Sequence, residues 1–100
     1  MKGYWLVLGA DVTDPEAQAA YGRLWTPIAA RHGARVIRSP SVLEAKELRN
    51  TSRVLLIEFP DLATARACYD DPDYRAAIAL AQRASTRDLV IFEADFPNLP

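Results

Sequence analysis

Arg53-Val-Leu-Leu-Ile-Glu-Phe-Pro60 is the stretch on which the fold turns. It is too short for a stable helix and rich in β-branched and aromatic residues, and Pro60 closes it by removing a backbone donor, so it reads as a strand over 53–59. Side chains alternate between the two faces of a strand, which puts Leu55, Ile57 and Phe59 on one face and Val54, Leu56 and Glu58 on the other. Both sets are apolar except for one carboxylate. Such a strand belongs inside a sheet covered on both sides, and the wholly apolar set is the one to assign to covering helices.

Upstream, the polar run Lys46–Ser52 is the loosest part of the chain and reads as a mobile loop. Before it, 34–39 forms a second strand, Pro40 marks an edge or a bulge, and 41–45 offers a continuation. The chain opens with Gly3-Tyr-Trp-Leu-Val-Leu-Gly-Ala10, a buried strand. Thr13-Asp-Pro-Glu16 then starts a helix, capped either by Thr13 with Glu16 or by Asp14 with Pro15 at the first helical position. Ala17, Ala20, Tyr21, Leu24, Trp25 and Ile28 form its apolar stripe, and Gly33 ends it. Pro27 predicts a bend or local break near 24–27.

Downstream, Asp61 caps a helix that breaks at 70–72 and restarts at Asp71-Pro72, covering 61–84 in all. Residues 88–95 form the fourth strand, and 96–100 is a proline-bearing tail. The order is βαββαβ in one domain over residues 1–100, an α+β chain whose split-βαβ pattern makes a four-stranded antiparallel sheet with helices on one face.

That arrangement leaves the second sheet face bare although it is apolar. Five hundred Å² of such surface corresponds to roughly 12 kcal/mol of unused burial at about 25 cal/mol per Å², comparable with the whole stability of a domain. A homodimer through the sheet face, with a cavity between the sheets, is the expected solution.

Composition removes several functions. The net charge is −1, too small a positive field for nucleic acid, although the stretch 31–53 is locally basic and reads either as solvated surface or as a site for an anionic ligand or acidic partner. The single Cys68 and single His32 leave no metal-ligand spacing, so no metal is expected. The absence of a G-x-G-x-x-G or P-loop disfavours nucleotide chemistry, and no cofactor is expected. The eight-residue run Gly3–Ala10 is far below the ~20 residues of a membrane helix. No membrane partner is expected, and a cytoplasmic location is, with Cys68 reduced as a small helix-face hydrophobe.

Chemistry is expected where polar residues meet the open face. Parity turns Glu58 there, and the same logic applied to the fourth strand turns Glu93 there too. The second strand adds Arg35 or Arg38, and Arg35 is placed to pair with Glu58. Glu58 reads either as a salt-bridge partner or as a general base whose pKa an apolar cavity raises. His32, at the end of the first helix, reads either as a cap for helix carbonyls or as a proton shuttle. One of Tyr4 and Trp5 must face the open side as an aromatic wall, and parity alone does not choose. Tyr21, on the helical stripe, reads as core whose hydroxyl can direct a hydrogen bond into a cavity.

The carriers Lys2-Gly-Tyr-Trp-Leu-Val, Val12-Thr-Asp-Pro-Glu16, Tyr21 with Pro27, His32-Gly-Ala-Arg35, Ile57-Glu-Phe-Pro60, Tyr69-Asp-Asp-Pro-Asp-Tyr74 and Asp88-Leu-Val-Ile together resemble the domain of unknown function 1330 family, of the dimeric α/β-barrel superfamily. The resemblance covers residues 2–94. Ala34, Pro40 and the long polar segment from Lys46 to Ser52 depart from it. It implies a ferredoxin-like fold that dimerises through its sheets, in a superfamily of cofactor-independent monooxygenases, isomerases and ligand-binding modules. Two functions follow as expectations: a cofactor-independent enzyme acting on a small, partly apolar organic molecule by proton transfer, isomerisation or oxygenation, or a non-catalytic dimeric ligand-binding or interaction module.

Overall fold

The computed structural model describes residues 1–38 and 42–97, with Arg38 as backbone only. Its elements run β1 (Lys2–Gly9), α1 (Pro15–Arg31), β2 (Arg35–Arg38), β3 (Arg53–Phe59), α2 (Leu62–Asp70), α3 (Pro72–Ala84) and β4 (Arg87–Ala94). The strands form one sheet in the order β2-β3-β1-β4, antiparallel throughout. The expected end of the second strand at Ser39, the role of Pro40 and the last three residues of the tail lie outside the described residues. Residues 42–45 do not resume the strand.

Each helix starts where a side chain answers a free backbone N–H. Of the two caps open to α1, Asp14 is the one used: it accepts from the Ala17 N–H at 3.0 Å with Pro15 behind it. Asp61 does the same for α2, accepting from Thr64 at 2.7 Å. Asp71 ends α2 and caps α3, accepting from the Asp73 N–H at 2.9 Å. The expected interruption of α1 near Pro27 does not occur, because the helix continues to Arg31. Pro27 and Arg23 are both exposed, so the carbonyl that loses its donor faces solvent.

The register settles the faces. Trp5 lies opposite Ile57 and Ile91, and Val7 opposite Leu55 and Leu89; all six belong to or pack on the core beneath the helices. Trp5 is fully buried, donates its indole N–H to the Ala65 carbonyl at 2.9 Å, and touches the rings of Trp25, Phe59, Tyr69 and Tyr74. Tyr4, Leu6, Leu8, Val54, Leu56, Val90 and Phe92 take the other face. Among the described residues no helix covers that side, and none is long and apolar enough to cross a membrane.

Gly3 shares the helix face of β1, and a Cβ there would run into the Asp61 carbonyl and the Leu62 backbone. The close approach of β1 to the start of α2 therefore needs a glycine. Gly3→Ala is expected to destabilise the fold by about 1–3 kcal/mol through overpacking against backbone, read as a lowered urea midpoint.

Candidate functional site

Three groups of polar side chains are set by this framework. The first lies on the open sheet face. Arg35 pairs opposite Glu58 across β2 and β3, and Glu58 pairs opposite Tyr4 across β3 and β1, so the three fall on one rung. Arg35 donates from Nε and Nη2 to Glu58 Oε1 at 3.2 and 3.1 Å, and the Tyr4 hydroxyl donates to Oε2 at 3.2 Å. Both carboxylate oxygens are thus engaged. Tyr4 is 1 % exposed, stacked on Phe92 and met edge-on by Phe96. Burial, and then the negative charge of Glu58, raise the Tyr4 pKa above its ordinary value, so the phenol stays a donor.

Two expected members of that face are elsewhere. Glu93 pairs opposite Gly3, on the helix side and exposed, because Leu89 and Ile91 rather than Val90 and Phe92 are the set that meets the core. Trp5 is core and not a wall of the open face, since its position opposite Ile57 and Ile91 sends it under the helices; Tyr4 takes the open side.

The second group joins the helices. His32 is not brought to Glu58: its Nε2–H donates to Asp71 Oδ2 at 2.9 Å, and Arg31 Nη2 donates to the same oxygen at 2.6 Å. Hydrogen bonds from His32, Arg31 and the Asp73 backbone hold the Asp71 carboxyl well below the usual carboxylate range. Cys68, packed in the core nearby, has its thiol pushed up to about 12, chiefly by burial, and stays protonated.

The third group is one that sequence reasoning missed, apart from Tyr21. A cavity of about 260 Å³ lies between α1 and the sheet. Val7, Leu55, Ile57, Val36 and Trp25 give it apolar walls, and Tyr21, Ser85, Arg53 and Arg87 supply its polar groups. Arg53 on β3 and Arg87 on the edge strand β4 lie on either side of Gly9 on β1. Arg53 donates from Nε to the Ala10 carbonyl at 2.9 Å and from Nη2 to Ser85 Oγ at 2.8 Å. Arg87 donates from Nη2 to the Tyr74 hydroxyl at 3.1 Å and lies 5.4 Å from the centre of the Tyr21 ring. The hydroxyls of Tyr21 and Tyr74 share a 2.8 Å hydrogen bond, and burial raises the Tyr74 pKa further above its ordinary value. A signal for the arginines was present in the sequence: each stands two residues before the first core-facing leucine of its strand, Leu55 or Leu89.

Among the described residues no group of three or more His, Cys, Asp and Glu side chains could hold a metal ion. The model of the domain of unknown function 1330 family matches residues 2–95. The chain belongs to this family. The DUF1330 chain is similar in structure to a protein of unknown function from Rhodopseudomonas palustris, with 26 % identity, a TM-score of 0.71, and coverage of 96 % of this chain and 84 % of that one. It is also similar to a dimeric ferredoxin-like protein of unknown function from Jannaschia, with 16 % identity, a TM-score of 0.69, and coverage of 94 % and 100 %. SnoaB, a cofactor-independent oxygenase from Streptomyces nogalater, matches with 16 % identity, a TM-score of 0.66, and coverage of 97 % and 96 %. No curated protein sequence matches. The DUF1330 chain thus has the ferredoxin-like fold, a four-stranded antiparallel sheet with its helices on one face.

Asp71 gives a pH test with a definite sign. Its folded pKa is depressed, so the folded state binds fewer protons than the unfolded one as the carboxyl titrates, and stability rises with pH there. The contribution is complete above the unfolded value of about 3.9 and is lost as pH falls below it. Asp71→Asn is expected to lower the urea midpoint at pH 6 and to flatten its decline between about pH 5 and pH 2.

Proposed function

We propose that this DUF1330 protein is a homodimeric small-molecule-binding protein that works without a cofactor, pairing open sheet face to open sheet face and holding its ligand in the cavity beneath α1. The observation that carries this is the state of the open face in a single copy. Its aliphatic side chains are half-exposed, Val90 at 51 %, while its one carboxylate is already matched by a guanidinium and a phenol. A charge so neutralised adds little desolvation cost when a second sheet closes over it, whereas the apolar surface gains. The dimeric description of the Jannaschia neighbour agrees with this reading. The ligand space moves from between the sheets to the helix side, because Tyr4, Glu58 and Arg35 occupy one another.

A second reading makes the protein a cofactor-independent enzyme with Glu58 as proton acceptor, Tyr4 as donor and Arg35 as the orienting group. It is favoured by Arg35, whose side chain is 57 % exposed and so open to exchanging Glu58 for an anionic or enolic oxygen. The description of SnoaB belongs to the same class of chemistry.

Sedimentation velocity tests the first reading. The wild type is expected to be a dimer at about 10 μM, and Val90→Glu and Leu56→Glu, which place a bare carboxylate at the centre of the face, are expected to be folded monomers. A wild-type monomer at that concentration overturns it. Solvent-deuterium incorporation into small cyclic 1,3-diketones tests the second: catalysed exchange that falls about 100-fold or more in Glu58→Gln supports a general base, and exchange equal to that in buffer removes it.

A further inference from the structure

We infer that the cavity beneath α1 is a site for a small aromatic monocarboxylate, its carboxylate held between Arg53 and Arg87 and its ring lying against Trp25 and Tyr21. This rests on the reading of that cavity as the ligand space and adds the chemical class of the ligand.

Two guanidinium groups face one cavity, and neither meets a carboxylate. Arg53 is satisfied by a carbonyl and a hydroxyl, and Arg87 by tyrosine hydroxyls. Among the described residues no ion pair includes either arginine, and none of the residues lining the cavity is acidic. Elsewhere the chain pairs arginines with acids, as in Arg35 with Glu58 and Arg31 with Asp71. Two like charges in an apolar, partly desolvated pocket repel each other, and an anion between them relieves both.

The backbone makes room for this. Gly9 lies between the two arginines on the central strand and pairs opposite each of them. A Cβ on Gly9 would stand 2.6 Å from Arg53 Nη2, so the guanidinium rests on the bare glycine. The rung reads Arg53–Gly9–Arg87, with the Arg53 guanidinium lying over the glycine and Arg87 on its far side.

Size and walls narrow the ligand. A volume of about 260 Å³ lies just under the range of drug-sized pockets, which suits a single ring with one charged substituent. The planar guanidinium fork matches a carboxylate with two parallel bonds, and the indole of Trp25 and the phenol ring of Tyr21, stacked at 9° to one another, supply an aromatic wall.

The test is a ¹H–¹⁵N NMR titration of the full chain at low salt with three probes: benzoate, the neutral isostere benzamide, and inorganic phosphate. Benzoate is expected to shift the amides of Gly9, Arg53 and Arg87 and to bind about tenfold or more tightly than either control, the weight of a charge-assisted pair on one side and of the ring contacts on the other. Arg53→Gln and Arg87→Gln are each expected to weaken benzoate about tenfold or more. Gly9→Ala meets the flexible end of Arg53 first, so it keeps both charges while displacing one guanidinium; it is expected to weaken benzoate while the ¹H–¹⁵N spectrum remains that of a folded chain. Benzamide binding as tightly as benzoate at the same amides overturns the anion and leaves the cavity reading standing. Phosphate binding as tightly as benzoate overturns the aromatic part. If about 10 mM benzoate moves none of these amides, both the ligand class and the cavity reading fall.

Discussion

The indole of Trp5 determines which way the central strand faces. Its N–H has a single buried partner, the Ala65 carbonyl, and four aromatic rings surround it beneath the helices, so rotating β1 by one residue would bury Tyr4 there and expose the largest side chain of the core. Side chains repeat every two residues, so the position of Trp5 sends Gly3, Val7 and Gly9 to the helix side and Tyr4, Leu6 and Leu8 to the open side. The two glycines then act at opposite ends of the strand. Gly3 lets α2 come down onto the sheet, and Gly9 leaves the space that the Arg53 guanidinium occupies.

The two faces deal with charge differently. On the open face, Glu58 is surrounded by donors, and the pair it makes with Arg35 reaches solvent through the arginine, so the desolvation cost falls mainly on the carboxylate and is met by three hydrogen bonds. That arrangement is complete as it stands and fits a surface that closes against a partner. On the helix face, Arg53 and Arg87 are held, among the described residues, by neutral oxygens. Their hydrogen bonds set their direction without cancelling their charge, which is the condition of a binding site and not of a lock.

The helix layer has its own clasp. Asp71 joins three helices in one residue: it ends α2, caps α3 and accepts from Arg31 and His32 at the end of α1. At the far ends of the same helices, the backbone N–H groups of Thr13 and Asp14 donate to the Ala84 carbonyl at 2.8 and 3.3 Å. With α1 fixed against α3 at both ends and by the Tyr21–Tyr74 hydrogen bond between them, the roof over the cavity is held in place.

The order of elements, the caps of the second and third helices and the apolarity of both sheet faces were legible in the sequence because they depend on local chemistry: alternation within 53–59, Asp61 after Pro60, a carboxylate before a proline at 71–72, and a glycine at 33; the first helix offered Thr13 and Asp14 equally, and the structure chose Asp14. The pairing of Arg35 with Glu58 was legible as one option beside Arg38: adjacency of the strands follows from the topology, and the register of the sheet chose the residue. The sequence could not say whether Tyr4 or Trp5 turns inward, or which half of β4 meets the core, because both alternating sets in those strands are apolar and their periodicity has two equal solutions; Glu93 was assigned to the wrong side for that reason. Only the tertiary structure decided them, by giving the larger ring the one space with a carbonyl for its N–H. The Arg53–Gly9–Arg87 rung lay beyond sequence reading for a related reason: it is made across three strands by register, and register is a property of the assembled sheet.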